Sequence, residues 1–251
     1  MKVSAAKPLF YKNVVPLDVK RHANLRIGPT AQPLEYARQA NVIPALVDEF
    51  ELAMADLPIA FLPGADLPSA VFVTGAAPGT NAFISDDGLW TGAYIPAYLR
   101  RYPFIIGDVA DGQSLLCIDD TYPGLGEQTG ERFFSETGER EAPLVQALTL
   151  AQSYRDAAAR TEAFCGMLRD FGLLQSATLD TTTPDGAKSV VHGILIIDQA
   201  ALAALSAEQL HKLHAAGFLK AIYNQIASLR SVSKLSPPAP KKVRATGKKA
   251  S

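Results

Sequence analysis

Asp119 and Asp120 close the apolar run Leu115–Ile118, a place from which a carboxylate can reach into a cleft at a sheet end. Adjacent residues on a continuing strand face opposite sides, so the two cannot share acid and base duty. Asp119 is instead expected to pair with Arg100 or Arg101, an ion pair that fixes geometry without chemistry. His211 and His214 lie three apart on one predicted helix, as two metal ligands can, but no Cys, Asp or Glu cluster supplies the remaining ligands. They are expected to be exposed, and no metal is predicted. His192 sits within an apolar run and is expected to be a hydrogen-bonded core residue; His22, after Lys20 and Arg21 in a loop-like segment, is expected to be the more accessible. Cys117 and Cys165 lie in apolar neighbourhoods and are expected to be buried, reduced thiols.

The densest group of binding-type side chains is Gly88–Phe104, which holds the only Trp, three of the eight Tyr and the Arg100-Arg101 pair. Exposed, such residues carry most of the energy of recognition; buried, they lock a core. Trp90, Tyr94, Arg100, Arg101, Asp119 and His22 are therefore the candidate ligand- or partner-binding set. No catalytic residue is assigned. There is no P-loop and no Gly-x-Ser-x-Gly elbow, and Gly124–Gly130 misses the dinucleotide spacing by one residue and follows a turn. No cofactor is predicted.

The elements that must position these residues are short. Ile59–Leu62, Ala70–Thr74, Asn81–Ser85, Phe104–Gly107 and Leu115–Ile118 read as strands separated by Pro and Gly turn signals, a pattern for an antiparallel meander. Pro33–Leu57 has helical content, since Val47, Phe50, Leu52 and Met54 recur near helical spacing in Ala45–Ala55, and Pro58 stops it. Pro96 and Pro103 bracket a helix of about two turns. On it Tyr98 and Tyr102, four apart, share a face, and Arg100 points elsewhere. Residues 141–171 carry an apolar stripe ending at Gly172, the signature of a long helix. Strands follow at Ser176–Leu179 and Val190–Ile197, with the polar turn Thr181–Gly186 between them. Asp198 is placed to cap one short helix, and Ser206 with Gln209 forms a capping box for the next, which Gly217 ends. A final helix, Phe218–Leu229, aligns Phe218, Ile222, Ile226 and Leu229 on a face that should dock on the sheet. The fold class is α+β: a mainly antiparallel sheet of short strands with a long helix and a C-terminal helical segment packed on it.

The 251 residues are 48% hydrophobic and 20% charged, enough apolar content for a large core, and are read as one domain over 1–235. Residues 236–251 hold five Lys or Arg and no acid among prolines and small residues, and read as a disordered basic tail. Without it the body has 19 basic and 25 acidic residues, a poor basis for phosphate-backbone binding; nucleic acid contact is expected only weakly, through the tail. Met1–Asn13 contains no apolar run of signal-peptide type and no window is apolar enough to span a membrane, which together predict a cytoplasmic chain.

Gly88-Leu89-Trp90, Tyr94-Ile95-Pro96-Ala97-Tyr98, Arg100-Arg101-Tyr102-Pro103-Phe104 and Cys117-Ile118-Asp119 resemble the SapC family of bacterial proteins. The likeness extends to Phe10–Leu17 with Arg21-His22, to Pro58–Phe61, Asn81–Phe83, and to Gly217–Tyr223 followed by Ser228-Leu229, roughly residues 8 to 235. This resemblance implies an association with surface-layer proteins and an accessory part beside outer-membrane uptake receptors, with a protein partner or a small ligand. The peptide-transporter permease that shares the name is unrelated. The family brings no established catalytic residues. The resulting expectation is a non-enzymatic binding or accessory protein; the alternatives are an enzyme using Asp119, Arg100, Arg101 or His22, and a structural surface-layer component.

Overall fold

The structure is a computed structural model that describes residues 8–108, 114–182, 186 and 188–236. The expected basic tail beyond Ser236 and residues 183–185 of the turn Thr181–Gly186 lie outside these residues. The chain begins with β1 (Val14–Pro16) and β2 (Arg26–Ile27), followed by a 3-10 turn at Glu35–Ala37 and by β3 (Val42–Pro44). A second 3-10 turn, Val47–Glu49, opens α1 (Phe50–Ala53), and the hairpin of β4 (Ile59–Leu62) and β5 (Ser69–Val73) comes next. After a long connection come α2 (Ala97–Arg101), β6 (Phe104–Asp108) and β7 (Ser114–Asp119), then the two-residue strands β8 (Leu125–Gly126) and β9 (Glu131–Arg132). The C-terminal part comprises α3 (Ala142–Asp170), the hairpin β10 (Leu174–Thr182) and β11 (Lys188–Ile197), and then α4 (Gln199–Ala203), α5 (Ala207–Ala215) and α6 (Leu219–Ser228).

The strands form three antiparallel sheets, β10-β11-β4-β5-β3, β1-β7-β6 and β8-β2-β9. The fold is α+β. Proline marks two of the edges: Pro44 in β3 and Pro16 in β1 lack the N–H that an interior strand must donate. The helical content expected in Pro33–Leu57 falls in Glu35–Ala37 and Val47–Ala53, interrupted by β3 because Val42 and Ile43 precede Pro44, which disfavours helical backbone before it, and Ile43 pairs with Phe72 at the sheet edge. One expectation for the first half is corrected. Asn81–Ser85 is not a strand. The Asn81 side chain accepts from Phe83 N at 3.0 Å and donates to the Ala37 carbonyl at 3.1 Å, folding the segment into a turn that leaves one isolated bridge, Ile84 with Trp90.

Helix α3 unites these sheets. At 29 residues it is about 43 Å long at 1.5 Å per residue, and its stripe reaches three apolar clusters in turn. Leu144 and Ala147 pack with Phe104, Ile118, Phe133 and Phe134; Tyr154 packs with Ile43, Ile84 and the buried face of α2; Phe164, Cys165 and Leu168 enter the largest cluster, with Phe50, Phe61 and Phe72. Its C-terminus closes with Gly172 at φ +64, Gly172 N to the Arg169 carbonyl at 3.0 Å and Leu173 N to that of Leu168 at 2.9 Å, with both leucines fully buried. The same pair of bonds ends α5 at Gly217 and Phe218. The expected caps at Asp198 and Ser206 are formed.

Helix α6 docks on the five-stranded sheet as its apolar face demands, and polar groups on that face complete the contact. Strand β11 meets β4 in register only at Leu195 and Phe61, leaving backbone groups of β4 unpaired within the sheet. Buried Gln225 donates to the Ile59 carbonyl at 2.9 Å and accepts from Ile197 N, and buried Ser228 accepts from Ile59 N at 2.9 Å. A helix side chain thus stands in for the missing ladder bonds.

Phe164 lies at the hub of the largest cluster, with ring centroids 5.2 Å from Phe218, 5.9 Å from Phe50 and 6.1 Å from Phe61. Phe164→Ala is expected to lower the unfolding free energy by about 3–5 kcal/mol, read as a shifted urea midpoint at unchanged slope.

Candidate functional site

Helix α2 is the organising element. Pro96 holds extended backbone at its start, and Tyr102, which precedes Pro103, returns to extended backbone at its end, so the helix spans only Ala97–Arg101. Its first turn is held by Glu49, which is 4% exposed. Glu49 Oε1 accepts from Ala97 N at 2.6 Å and from the Tyr94 hydroxyl at 2.7 Å, and Oε2 accepts from Leu46 N at 3.1 Å. Desolvation raises the Glu49 carboxyl above its ordinary range, against the opposing pull of these hydrogen bonds. The Tyr94 hydroxyl accepts in turn from Arg100 Nη2 at 3.2 Å, while Arg100 Nε donates to the Ile95 carbonyl at 3.0 Å. Desolvation, then its bond to Glu49, pushes the Tyr94 phenol up to about 12, so it stays protonated and donating at neutral pH.

The two arginines diverge. Arg100 is exposed, whereas Arg101 turns under the helix into a cage of ring faces, 3.8 Å from the Tyr154 centroid, 4.4 Å from Tyr98 and 5.9 Å from Tyr11. Arg101 Nε is buried and has no hydrogen-bond partner among the described residues. Cation–π attraction takes the place of a carboxylate. Asp119 is no partner to either arginine, contrary to expectation. It is fully buried, and five donors fill its oxygens: Lys12 N (2.7 Å) and the Tyr102 hydroxyl (3.2 Å) on Oδ2; Asn13 N (3.1 Å), Thr121 N (3.1 Å) and Thr121 Oγ1 (2.8 Å) on Oδ1. Desolvation opposes ionisation there, but the combined hydrogen bonds outweigh it and hold the carboxyl below its ordinary value. Asp120 points the other way, to the Asn13 amide.

The tyrosines next to these groups form a continuous layer. Tyr102 lies 4.3 Å from Tyr36, 5.2 Å from Tyr11 and 5.5 Å from Tyr122, and Phe10 bridges Tyr36 to Tyr98. Above the layer, beside α2, lies a groove of about 480 Å³. Leu34, Leu89, Trp90, Tyr36, Tyr102 and Tyr122 line it, together with Ile95 and Arg100. Trp90 stacks on Phe83 at 5.3 Å and 19°, and its Nε1 is buried against Gly92 rather than presented to the groove. A smaller hollow of about 190 Å³ beside α6 is bordered by residues of the ion pairs Arg160–Asp48 and Lys220–Glu51.

Of the six candidates, Trp90 and Arg100 line the groove, and Tyr94 aims Arg100. Arg101 and Asp119 lie beneath it, as supports. His22 belongs to neither set: it is 9% exposed, and its Nδ1 accepts from Asp18 N at 3.0 Å within its own turn. His192, expected in the core, is exposed on β11, because the strand alternation turns it outward beside buried Val191. His211 and His214 are exposed on α5, and no group of three or more His, Cys, Asp or Glu among the described residues is placed to hold a metal. Both cysteines are buried and unbridged, and desolvation pushes the Cys165 thiol up to about 11. Sequence reasoning missed Glu49, Tyr36 and Tyr122. Only Glu49 left a signal: an acid between Leu46 and Phe50 on an otherwise apolar helical face.

The two buried carboxylates give opposite pH signatures. Asp119→Asn is expected to cost about 1–3 kcal/mol at pH 7 by leaving buried N–H donors unpaired. Because the folded Asp119 carboxyl titrates below its ordinary 3.8, its contribution is present above that value and lost as pH falls through the folded value. Urea titrations of parent and variant should therefore converge on acidification. The folded Glu49 carboxyl titrates above its ordinary 4.5, so folding favours its protonated form, and that contribution is lost as pH rises through the folded value. The stability difference, parent minus Glu49→Gln, should accordingly fall as pH rises from the ordinary 4.5 through the folded value.

No helix among the described residues is long and apolar enough to cross a membrane. No curated protein and no solved structure matches the chain. The sequence profile of one family, SapC, matches residues 17–235, taking in α2, Glu49, Asp119 and the residues that line the groove. The chain belongs to the SapC family.

Proposed function

We propose that this SapC protein is a binding or accessory protein, not an enzyme, and that the groove beside α2 is its recognition surface. One observation carries the reading. The only Trp, three tyrosines and an exposed arginine meet in a single apolar concavity, and that arginine is held by two hydrogen bonds. Leu89 and Ile95 at this groove are 54% and 38% exposed, an apolar surface that folding alone does not require. Three of the four groups that an enzymatic reading would use are tied up, all but Arg100. Asp119 already accepts five hydrogen bonds, Arg101 is caged, and His22 is held in its own turn. The association with surface-layer and outer-membrane uptake systems that resemblance to this family implies would supply the setting for an accessory role.

The test blocks the groove without touching its supports. Leu89→Glu places a carboxylate at an exposed position of the groove that Arg100 also lines and should leave the melting temperature within about 2 °C, as surface changes do. The parent chain, purified from native cells, should bring down a partner or ligand that the Leu89→Glu chain does not. It should also restore outer-membrane uptake to a deletion strain where the variant fails. Full restoration by a folded Leu89→Glu protein overturns the reading.

A further inference from the structure

Resting on the reading of the groove as a binding site, we infer its ligand class: a small carboxylate carried on an aromatic or other flat apolar group. The volume, about 480 Å³, falls within the range of small-molecule sites. Its walls offer rings more than hydroxyls. The Tyr36 hydroxyl donates to the Leu99 carbonyl at 2.9 Å and that of Tyr102 donates to Asp119, so these two phenols present their rings to an occupant. Trp90 adds a third flat surface, with its N–H buried on the other side.

The charge is as selective as the walls. Among the described residues, none that lines the groove is acidic, and Arg100 is the only cation. Its Nε and Nη2 are fixed by Ile95 and Tyr94, which leaves Nη1 without a protein partner among the described residues. A guanidinium already immobilised loses little freedom when it meets an anion. Glu49, the carboxylate nearest in this chain of bonds, is directed to the start of α2 and separated from Arg100 by the Tyr94 phenol, so Arg100 has no carboxylate in direct contact. One cation and apolar walls match a singly charged carboxylate better than a phosphate dianion, which calls for several donors or a helix N-terminus. An exposed ion pair contributes little in water and an unassisted ring is unselective, so the ligand needs both parts.

The sole Trp makes the groove its own reporter. Trp90 emission and calorimetry on the full chain, titrated with hydrocinnamate, hydrocinnamamide and phenylpropylamine, separate the charge from the ring. Hydrocinnamate should bind at least about fivefold more tightly than the amide, the amine should bind most weakly, and the preference should shrink in high salt. Arg100→Gln, checked for parent-like circular dichroism, should erase the preference while keeping the affinity for the amide; Tyr94→Phe, which frees the guanidinium, should reduce it severalfold. Equal binding of acid and amide, preference for the amine, or a preference that survives in Arg100→Gln overturns the class. So does failure of all three probes, and a Leu89→Glu chain that still loses its cellular function then shows that the groove reading survives without it. Failure of all three with a fully functional Leu89→Glu chain removes both.

Discussion

A five-residue helix has no stability of its own in water, because nucleation costs more than so few hydrogen bonds return. Helix α2 exists because three charged groups, two of them almost fully removed from solvent, hold it at its start, its underside and its exit. Glu49 accepts from the first helical N–H, Arg101 is drawn under the helix onto the rings of Tyr98 and Tyr154, and Asp119 fixes Tyr102 where the chain leaves for β6. One part of the groove's lining hangs on this arrangement, since Ile95, Leu99, Arg100 and Tyr102 all belong to α2 or its flanks.

None of the three is answered by an opposite charge in direct contact among the described residues. Burying an ion pair requires two desolvations, and in many proteins the Coulomb attraction only just offsets them. Here each group is instead stabilised by neutral partners that must exist anyway: backbone N–H groups of Leu46, Ala97, Lys12 and Asn13, phenol hydroxyls, and ring faces. This choice ties distant segments together. Two donors to Asp119 come from the segment before β1 and the others from Tyr102 and Thr121, those to Glu49 from α2, the segment before it and the turn before α1, and the rings around Arg101 from α2, the N-terminal segment and α3. Helix α3, whose Tyr154 closes the cage, also runs from the smaller sheets to the largest apolar cluster. The site and the core therefore share a spine.

Local signals were legible in the sequence wherever a single residue type decides the backbone. Pro96 and Pro103 delimit α2, Gly172 and Gly217 end α3 and α5, Asp198 and Ser206 start α4 and α5, and the apolar run Ile59–Leu62 is a strand. What was not legible depends on pairing at a distance. Strand β3 is three residues long and exists through β5, and the sheet of β2, β8 and β9 consists of two-residue strands that leave no periodicity to read. The role of Asp119 was misread for the same reason. Proximity in sequence pointed to the arginines, but its donors lie more than a hundred residues upstream, apart from Thr121 and Tyr102. The polar residues on the buried face of α6 were invisible because the need for Gln225 and Ser228 arises only where β11 and β4 part company.

Adjacent arginines with opposite fates follow from helix geometry. Successive residues are rotated by about 100°, so a pair at the end of a half-buried helix cannot point the same way. Arg101 falls on the side facing Tyr154 and is absorbed into the packing. Arg100 falls toward the turn Tyr94-Ile95, where Nε and Nη2 find a carbonyl and a phenol and the rest of the guanidinium faces outward. The contrast separates support from recognition within one dipeptide. A cation enclosed by rings on several sides is shielded from any arriving anion, whereas one held along a single edge is oriented and still open. That is the physical ground for placing binding at Arg100, with Arg101, Asp119 and Glu49 holding the helix that presents it.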